Sequence, residues 1–208
     1  MNNFLELKNI SKTFDTSKKL RVLKNLSYKF KKGKTYSLMG PSGSGKSTLL
    51  NLLSLIDRPT SGSISFDQFQ INFSENKKND IIRAKKIGII YQQKNLLSDF
   101  TALENIYLAS LSLHNNKKLA ISKAKRLLKH VGLSSRSDHY PSQLSGGESQ
   151  RIAIARAIIN DPEVILADEP TGSLDIDTAQ DVFKLLNSQK SSNRLIIFAT
   201  HNRFFANK

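Results

Sequence analysis

The 208-residue chain contains no cysteine. Without thiols there can be no disulfide framework, thiolate zinc site, iron–sulfur cluster or cysteine nucleophile, which removes most disulfide-stapled secreted folds. Long hydrophobic runs are missing too: stretches such as Leu195 to Ala199 fall far short of the roughly 20 residues of a membrane helix. Met1 to Lys8 holds no continuous apolar segment of the kind that directs secretion, so the expectation is a cytoplasmic chain that does not itself cross a membrane. Acidic residues are scarce, 17 Asp+Glu against 32 Lys+Arg, for a formal net charge of +15. That deficit points either to an anionic partner, nucleic acid or an anionic membrane surface, or to lysine-rich faces that serve solubility. The imbalance is local: residues 1–137 hold 25 basic and 8 acidic side chains, residues 138–208 hold 7 and 9. No internal repeat and no linker-like stretch interrupts the chain, and 38% hydrophobic with 24% charged residues suits one globular domain or two small lobes sharing a core.

Phe4 to Ile10 alternates apolar and polar residues with period two, the pattern of a half-buried strand; Val22 to Phe30 does so less cleanly. The turn signal Lys31-Lys32-Gly33-Lys34 leads into a short strand, Thr35 to Met39, then a glycine-rich loop and a helical run, Leu49 to Ile56, apolar nearly all round and therefore expected to be buried. Ile87 to Tyr91 reads as a buried strand. From Ala102 to about Gly132 the pattern is helical, with Ala120, Ala124, Leu127, Leu128 and Val131 on one face, Lys123, Lys125, Arg126 and Lys129 on the other, and Gly132 at the capping position. A helix over Glu148 to Ile159, a strand at Val164 to Ala167, a helix over Asp177 to Asn187 and a strand at Leu195 to Thr200 follow. Buried strands alternating with helices predict a mostly parallel sheet with ligands at the carboxyl ends of its strands.

The chemistry begins at Gly40-Pro41-Ser42-Gly43-Ser44-Gly45-Lys46-Ser47-Thr48, which satisfies the phosphate-loop pattern G-x-x-x-x-G-K-[ST]. Backbone N–H groups of such a loop wrap phosphate oxygens, the following helix N-terminus adds positive potential, Lys46 reaches the β and γ phosphates, and Ser47 offers a hydroxyl to Mg²⁺. The bare pattern arises by chance on the order of once in a hundred chains of this length. Asp168, at the exit of the apolar strand before it, suits the magnesium shell, and Glu169 could orient or deprotonate a water attacking the γ-phosphate. A second Ser-Gly loop, Ser145-Gly146-Gly147-Glu148, opens another helix about a hundred residues later. One nucleotide cannot obviously use both loops, and a two-fold dimer resolves this: each Ser145-Gly146-Gly147 loop closes over the γ-phosphate held by the partner's phosphate loop.

With these residues in order, the chain resembles the ATP-binding subunits of ABC (ATP-binding cassette) transporters over essentially its whole length. The match comprises a Walker A loop at Gly40 to Thr48, a Q-loop at Gln92, a signature at Leu144 to Glu148, a Walker B strand at Val164 to Asp168, the carboxylate Glu169, a D-loop at Ser173-Leu174-Asp175 and a switch histidine, His201. The resemblance implies an α/β fold: a P-loop NTPase core with a mostly parallel sheet, an N-terminal antiparallel β subdomain and an inserted α-helical subdomain. The core would span about 1–95 and 155–208, the helical part about 96–154. It further implies that Gln92 senses Mg²⁺ and the membrane partner, that Asp175 couples two sites and that His201 contacts the γ-phosphate. Phe14 falls where the family stacks an aromatic ring on adenine; packing among the first strands is the other reading. His114, His130 and His139 match no motif and read as surface or packing residues.

Two departures stand out. The fifth signature residue is Glu148 where Gln is commoner, and the chain ends seven residues beyond His201, where members of the family continue through further strands and helices. Tyr91 to Asn105 and the Leu-Ser-Gly-Gly-Glu signature resemble the lipoprotein-releasing transporter ATPases, with macrolide-exporter ATPases close behind. The implied protein binds ATP and Mg²⁺, dimerises on ATP, works with two integral membrane subunits at the cytoplasmic face of the inner membrane, and releases lipoproteins. A drug or peptide exporter carries the same motifs. A nucleic-acid-associated ATPase of the superfamily would need a long coiled-coil insertion or a second cassette, and neither is present, so no nucleic acid partner is expected. The basic excess then favours peripheral contact with an anionic inner membrane.

Overall fold

The computed structural model describes residues 3–15, 19–113 and 115–207. β1 (Asn3–Phe14) and β2 (Leu20–Lys31) pair antiparallel. Their register slips near Asn9 and Asn25, whose φ values are 51° and 47°, and each slip changes which face the following side chains meet. Together with an outer position in its sheet, this explains why β2 buries only Leu23 and Phe30 and alternates irregularly. After β3 (Thr35–Leu38) and α1 (Lys46–Leu53), β4 (Ser61–Phe66) and β5 (Phe69–Gln70) join the other side of β1, giving a four-stranded sheet in the order β2-β1-β4-β5.

A second sheet is all parallel. α2 (Asn76–Lys86) leads directly into β6 (Ile87–Ile90); α3 (Ala102–Leu111), α4 (Lys117–His130), two short 3₁₀ turns (Ser134–Arg136 and Pro141–Gln143) and α5 (Gly146–Ile158) follow. Then come β7 (Val164–Asp168), α6 (Ile176–Asn187), β8 (Leu195–Ala199) and α7 (Arg203–Ala206), and the sheet order is β3-β8-β7-β6. Both faces of β7 and β8 are buried, as their unbroken apolar sequences require. Val164, Leu166, Leu195, Ile197 and Ala199 face α1 and the antiparallel sheet; Ile165, Ala167, Ile196 and Phe198 face α5 and α6. Each fully buried Val, Leu, Ile or Phe side chain here contributes about 1.5–3 kcal/mol.

A third core joins α3, α4 and α5. In α4, Ala120, Ala124 and Leu128 recur every fourth residue and are buried, while Lys125, Arg126 and Lys129 are exposed. The helix stops where Gly132, at φ 72°, donates its N–H to Lys129 and Leu133 donates to Leu128, a paired C-terminal cap. α5 serves two cores at once: Ile152, Ala155 and the C-cap residue Ile159 pack with α3 and α4, whereas Ile154 and Ile158 pack on the parallel sheet. The lobe boundary expected at 154 and 155 therefore lies inside one unbroken helix.

Some elements differ from expectation. α1 starts at Lys46 and ends at Leu53, because Leu55 takes φ 60°; Ile56, expected in the buried helix, lies outside it and is half exposed. The strand expected to reach Tyr91 ends at Ile90, and the helical stretch 102–132 is two helices. β4, β5 and α2 escaped the sequence pattern: β5 has two residues, and α2 buries only Asn79, so it has no apolar stripe to read. Among the described residues no helix is long and apolar enough to cross a membrane.

Candidate active site

Parallel topology gathers the chemistry at one edge. The glycine loop follows β3, Gln92 follows β6, Asp168 closes β7 with Glu169 one residue on, and His201 follows β8. All four strand ends open on one cleft of about 700 Å³, lined by Leu20, Val22, Ser42, Gly43, Gly45, Lys46, Ser47, Thr48, Gln92, Asp168, Glu169 and His201. Leu20 and Val22, missed by sequence reasoning, come from the antiparallel sheet; only the packing of β2 against the loop brings them there.

At the glycine loop, Gly45 is the N-cap of α1 at φ 92°, where a Cβ would also lie 2.9 Å from Val22 Cγ1. No side chain caps α1 and no acid occupies its first turn, so its N-terminal field meets no neutralising group of its own. Lys46 Nζ folds back on the loop, donating to the carbonyls of Gly40 (2.8 Å) and Pro41 (3.0 Å). Ser44 N–H donates to Pro41 O at 3.2 Å, closing the turn.

On the opposite wall, Asp168 pairs across the ladder with Ala199, and Glu169 N–H donates to Ala199 O at 3.0 Å. Glu169 takes φ 44°, a conformation rare for a side-chain-bearing residue, and this turns its carboxylate toward the next strand end. There Glu169 Oε1 lies 2.9 Å from His201 Nδ1; the glutamate side chain is 13% exposed, the histidine 66%. Gln92 packs against Gly172, where a Cβ would stand 3.3 Å from its Nε2. The loop after Gln92 is anchored by Arg156 of α5, which donates to the carbonyls of Asn95 (2.7 Å) and Lys94 (2.8 Å). Burial pulls the Arg156 guanidinium below its usual pKa and pushes the neighbouring Tyr91 phenol up. Lys94 Nζ in turn donates to Ser173 Oγ at 3.0 Å.

The second Ser-Gly loop stands elsewhere: none of Ser145, Gly146, Gly147 and Glu148 lines the cleft. Ser145 caps α5, accepting from Glu148 N–H at 3.1 Å, while Glu148 Oε2 accepts from Ser145 N–H at 2.8 Å. Gly147 allows α5 to approach α6, since a Cβ there would meet Thr178 Cγ2 at 2.3 Å; a Cβ on Gly146 would lie 3.4 Å from Leu174 Cδ2. Asp175 caps α6 through Thr178 N–H at 3.0 Å, and that bond holds its carboxyl below the usual range. Asp175 also lies outside the cleft lining, as does Phe14, the last residue of β1, with Lys12 Nζ 4.9 Å from its ring centroid. Phe14 pairs with Leu20, which does line the cleft. His114 falls outside the described residues; His130 approaches Gln189 and His139 approaches Arg136.

Among known proteins, the family described as ABC transporter matches residues 23–172. The lipoprotein-releasing system ATP-binding protein LolD of Rickettsia bellii is 44% identical over the whole chain and 92% of its own length; that of Wigglesworthia glossinidia brevipalpis is 44% identical over the whole chain and 93% of its length. An uncharacterized ABC transporter ATP-binding protein of Methanocaldococcus jannaschii is 42% identical over 96% of this chain and 89% of its own. In structure, the ATP-binding cassette MJ0796, dimeric in a post-hydrolysis state with ADP and phosphate, superposes with a TM-score of 0.90 at 38% identity, over 97% of this chain and 90% of that one.

Proposed function

Since the chain belongs to the ABC transporter ATP-binding family, and the chain is accordingly an ATP-hydrolysing cassette, we propose that two copies sandwich two ATP molecules and drive membrane subunits that release lipoproteins. One observation carries the sandwich: within a single chain the phosphate loop and the Ser145-Gly146-Gly147 loop do not share a cleft. A second copy supplies to each cleft the loop that the first lacks, and the dimeric state of the similar MJ0796 cassette supports that arrangement.

In this reading Gly40 to Thr48 wraps the phosphates, Lys46 exchanges its two carbonyl partners for phosphate oxygens, and the Phe14 ring meets the base beside Leu20. The oxygen donors Ser47, Gln92 and Asp168 suit a small hard cation, and Mg²⁺ bound there would neutralise charge developing on the phosphates. Glu169 accepts a proton from the attacking water, held in aim by its bond to His201, which also reaches the γ-phosphate. Asp175, six residues beyond Glu169 in the chain, couples the two sites. Membrane subunits seat near Gln92 to Asn105, whose loop Arg156 holds to α5, so that motion of the lobe of about residues 96–154 reaches them. Identity of 44% along the whole chain to lipoprotein-releasing ATPases supports that cargo, and the basic surface supports contact with an anionic cytoplasmic leaflet.

Glu169→Gln tests the mechanism. The variant is expected to bind ATP and accumulate as a dimer in light scattering, with phosphate release reduced on the order of 10²–10⁴-fold. A variant that stays monomeric with saturating ATP would sink the two-copy site.

A further inference from the structure

A carboxylate in a loop meant for a phosphate is an electrostatic problem. Glu148 occupies the third position of α5, beside the Ser145 hydroxyl and the Gly146 and Gly147 backbone, and a bare anion there repels the anion the loop is to receive. The structure answers it with Arg136. This residue ends the 3₁₀ turn Ser134–Arg136, itself seated on the C-terminal cap of α4, with its N–H bonded to Leu133 O at 3.0 Å. Its Nε donates to Glu148 Oε1 at 2.9 Å while Nη1 stands 3.1 Å from His139 Nε2, so two partners orient the guanidinium. The carboxylate is thereby divided: one oxygen serves Arg136, the other the Ser145 N–H. A glutamine has one acceptor oxygen where this arrangement uses two.

We propose that Arg136 is the positioning residue of the signature loop, cancelling the charge of Glu148 and fixing the Ser145 backbone so that the loop accepts a phosphate from a second copy. The inference rests on the two-copy reading above. The depressed pKa of Glu148, caused first by the Ser145 N–H bond and then by Arg136 against the opposing effect of burial, agrees with a carboxylate that stays ionised and held. Arg136 is 43% exposed and Glu148 16%, so the pair is only partly desolvated and its effect is modest.

The test is a double-mutant cycle read by ATP-driven dimerisation in the Glu169→Gln background. Arg136→Ala is expected to raise the ATP concentration for half-maximal dimer about tenfold when Glu148 is present, and less than about twofold in the Glu148→Gln background. Arg136→Lys, which keeps the charge but not the fork, recovers part of the loss. Nucleotide binding by the monomer should not move with Arg136, and it separates folding damage from loop damage. Equal loss in both Glu148 forms, or no loss in either, overturns the role given to Arg136 while leaving the two-copy site intact. Failure of Glu169→Gln alone to dimerise overturns that reading and this inference with it.

Discussion

Two helices of this protein begin at Ser-Gly loops with nearly the same vocabulary, and their N-termini are built in opposite ways. α1 starts from Gly45 in a left-handed conformation, with no side-chain cap and no acid in its first turn. α5 starts from Ser145 with a full capping box and Glu148 in its first turn, itself paired with Arg136. In the two-copy arrangement proposed above, the difference separates a site from half a site. Withholding side-chain caps leaves backbone donors and the helix field to a ligand. Closing two donors on the chain's own side chains makes a loop that is stable alone, and under the proposed arrangement it meets a phosphate only as part of a larger assembly.

That contrast can be broken from either side. Lys46→Ala acts only on the first loop and should weaken nucleotide binding by the monomer on the order of 10²-fold or more, measured by titration with a fluorescent nucleotide. Substitutions at Ser145 or Gly147 that weakened the monomer equally would erase the distinction between the loops. Next in size is Gly147→Ala, whose Cβ collides with the stiff, branched side chain of Thr178. It should cost about 1–3 kcal/mol in urea unfolding, and Thr178→Ser, which removes the offending methyl, should recover most of it. Ser145→Ala removes a cap and should cost about 1 kcal/mol of stability while leaving monomeric nucleotide binding within about twofold.

The smallest expected effect is in acid. The folded-state carboxyls of Glu148 and Asp175 titrate below their ordinary values, so their contribution is complete above the usual carboxylate range near about pH 4 and is lost as pH falls through the depressed values. Urea midpoints measured from pH 7 to pH 3 should therefore fall only toward the acid end, and less steeply for Glu148→Gln. A midpoint that improved with acid would mean the capping box is strained rather than stabilising.

Much of this was legible from residue order. The glycine-rich loop between a strand and a helix, the apolar strand ending at Asp168, and the alternation of buried strands with helices are local patterns, and the structure carries all three. Of the secondary elements that escaped, β4 does alternate, at Ser63-Ile64-Ser65-Phe66, and the others have no pattern to read. α2 buries one asparagine, β5 is two residues long, and the end of α1 depends on Leu55 at φ 60°, which nothing in the apolar run announces. Arg136 escaped for another reason. The unusual Glu148 was visible, but its counter-charge lies twelve residues upstream in a turn too short to show periodicity.

The sequence by itself therefore determined the chemistry present: a phosphate loop, two adjacent carboxylates, a histidine after the last strand and a second Ser-Gly helix start, because each of these is a short run whose function depends on backbone neighbours. Only the tertiary structure decided which of them meet. Strand order β3-β8-β7-β6 brings the exits of four separate strands to one cleft and seats His201 against Glu169 at 2.9 Å, while Gly147 of α5 packs close to Thr178 of α6 and the second loop lies outside that cleft. Such distances follow from sheet order and interhelix contact, which join residues far apart in the chain and leave no trace in any local run of it.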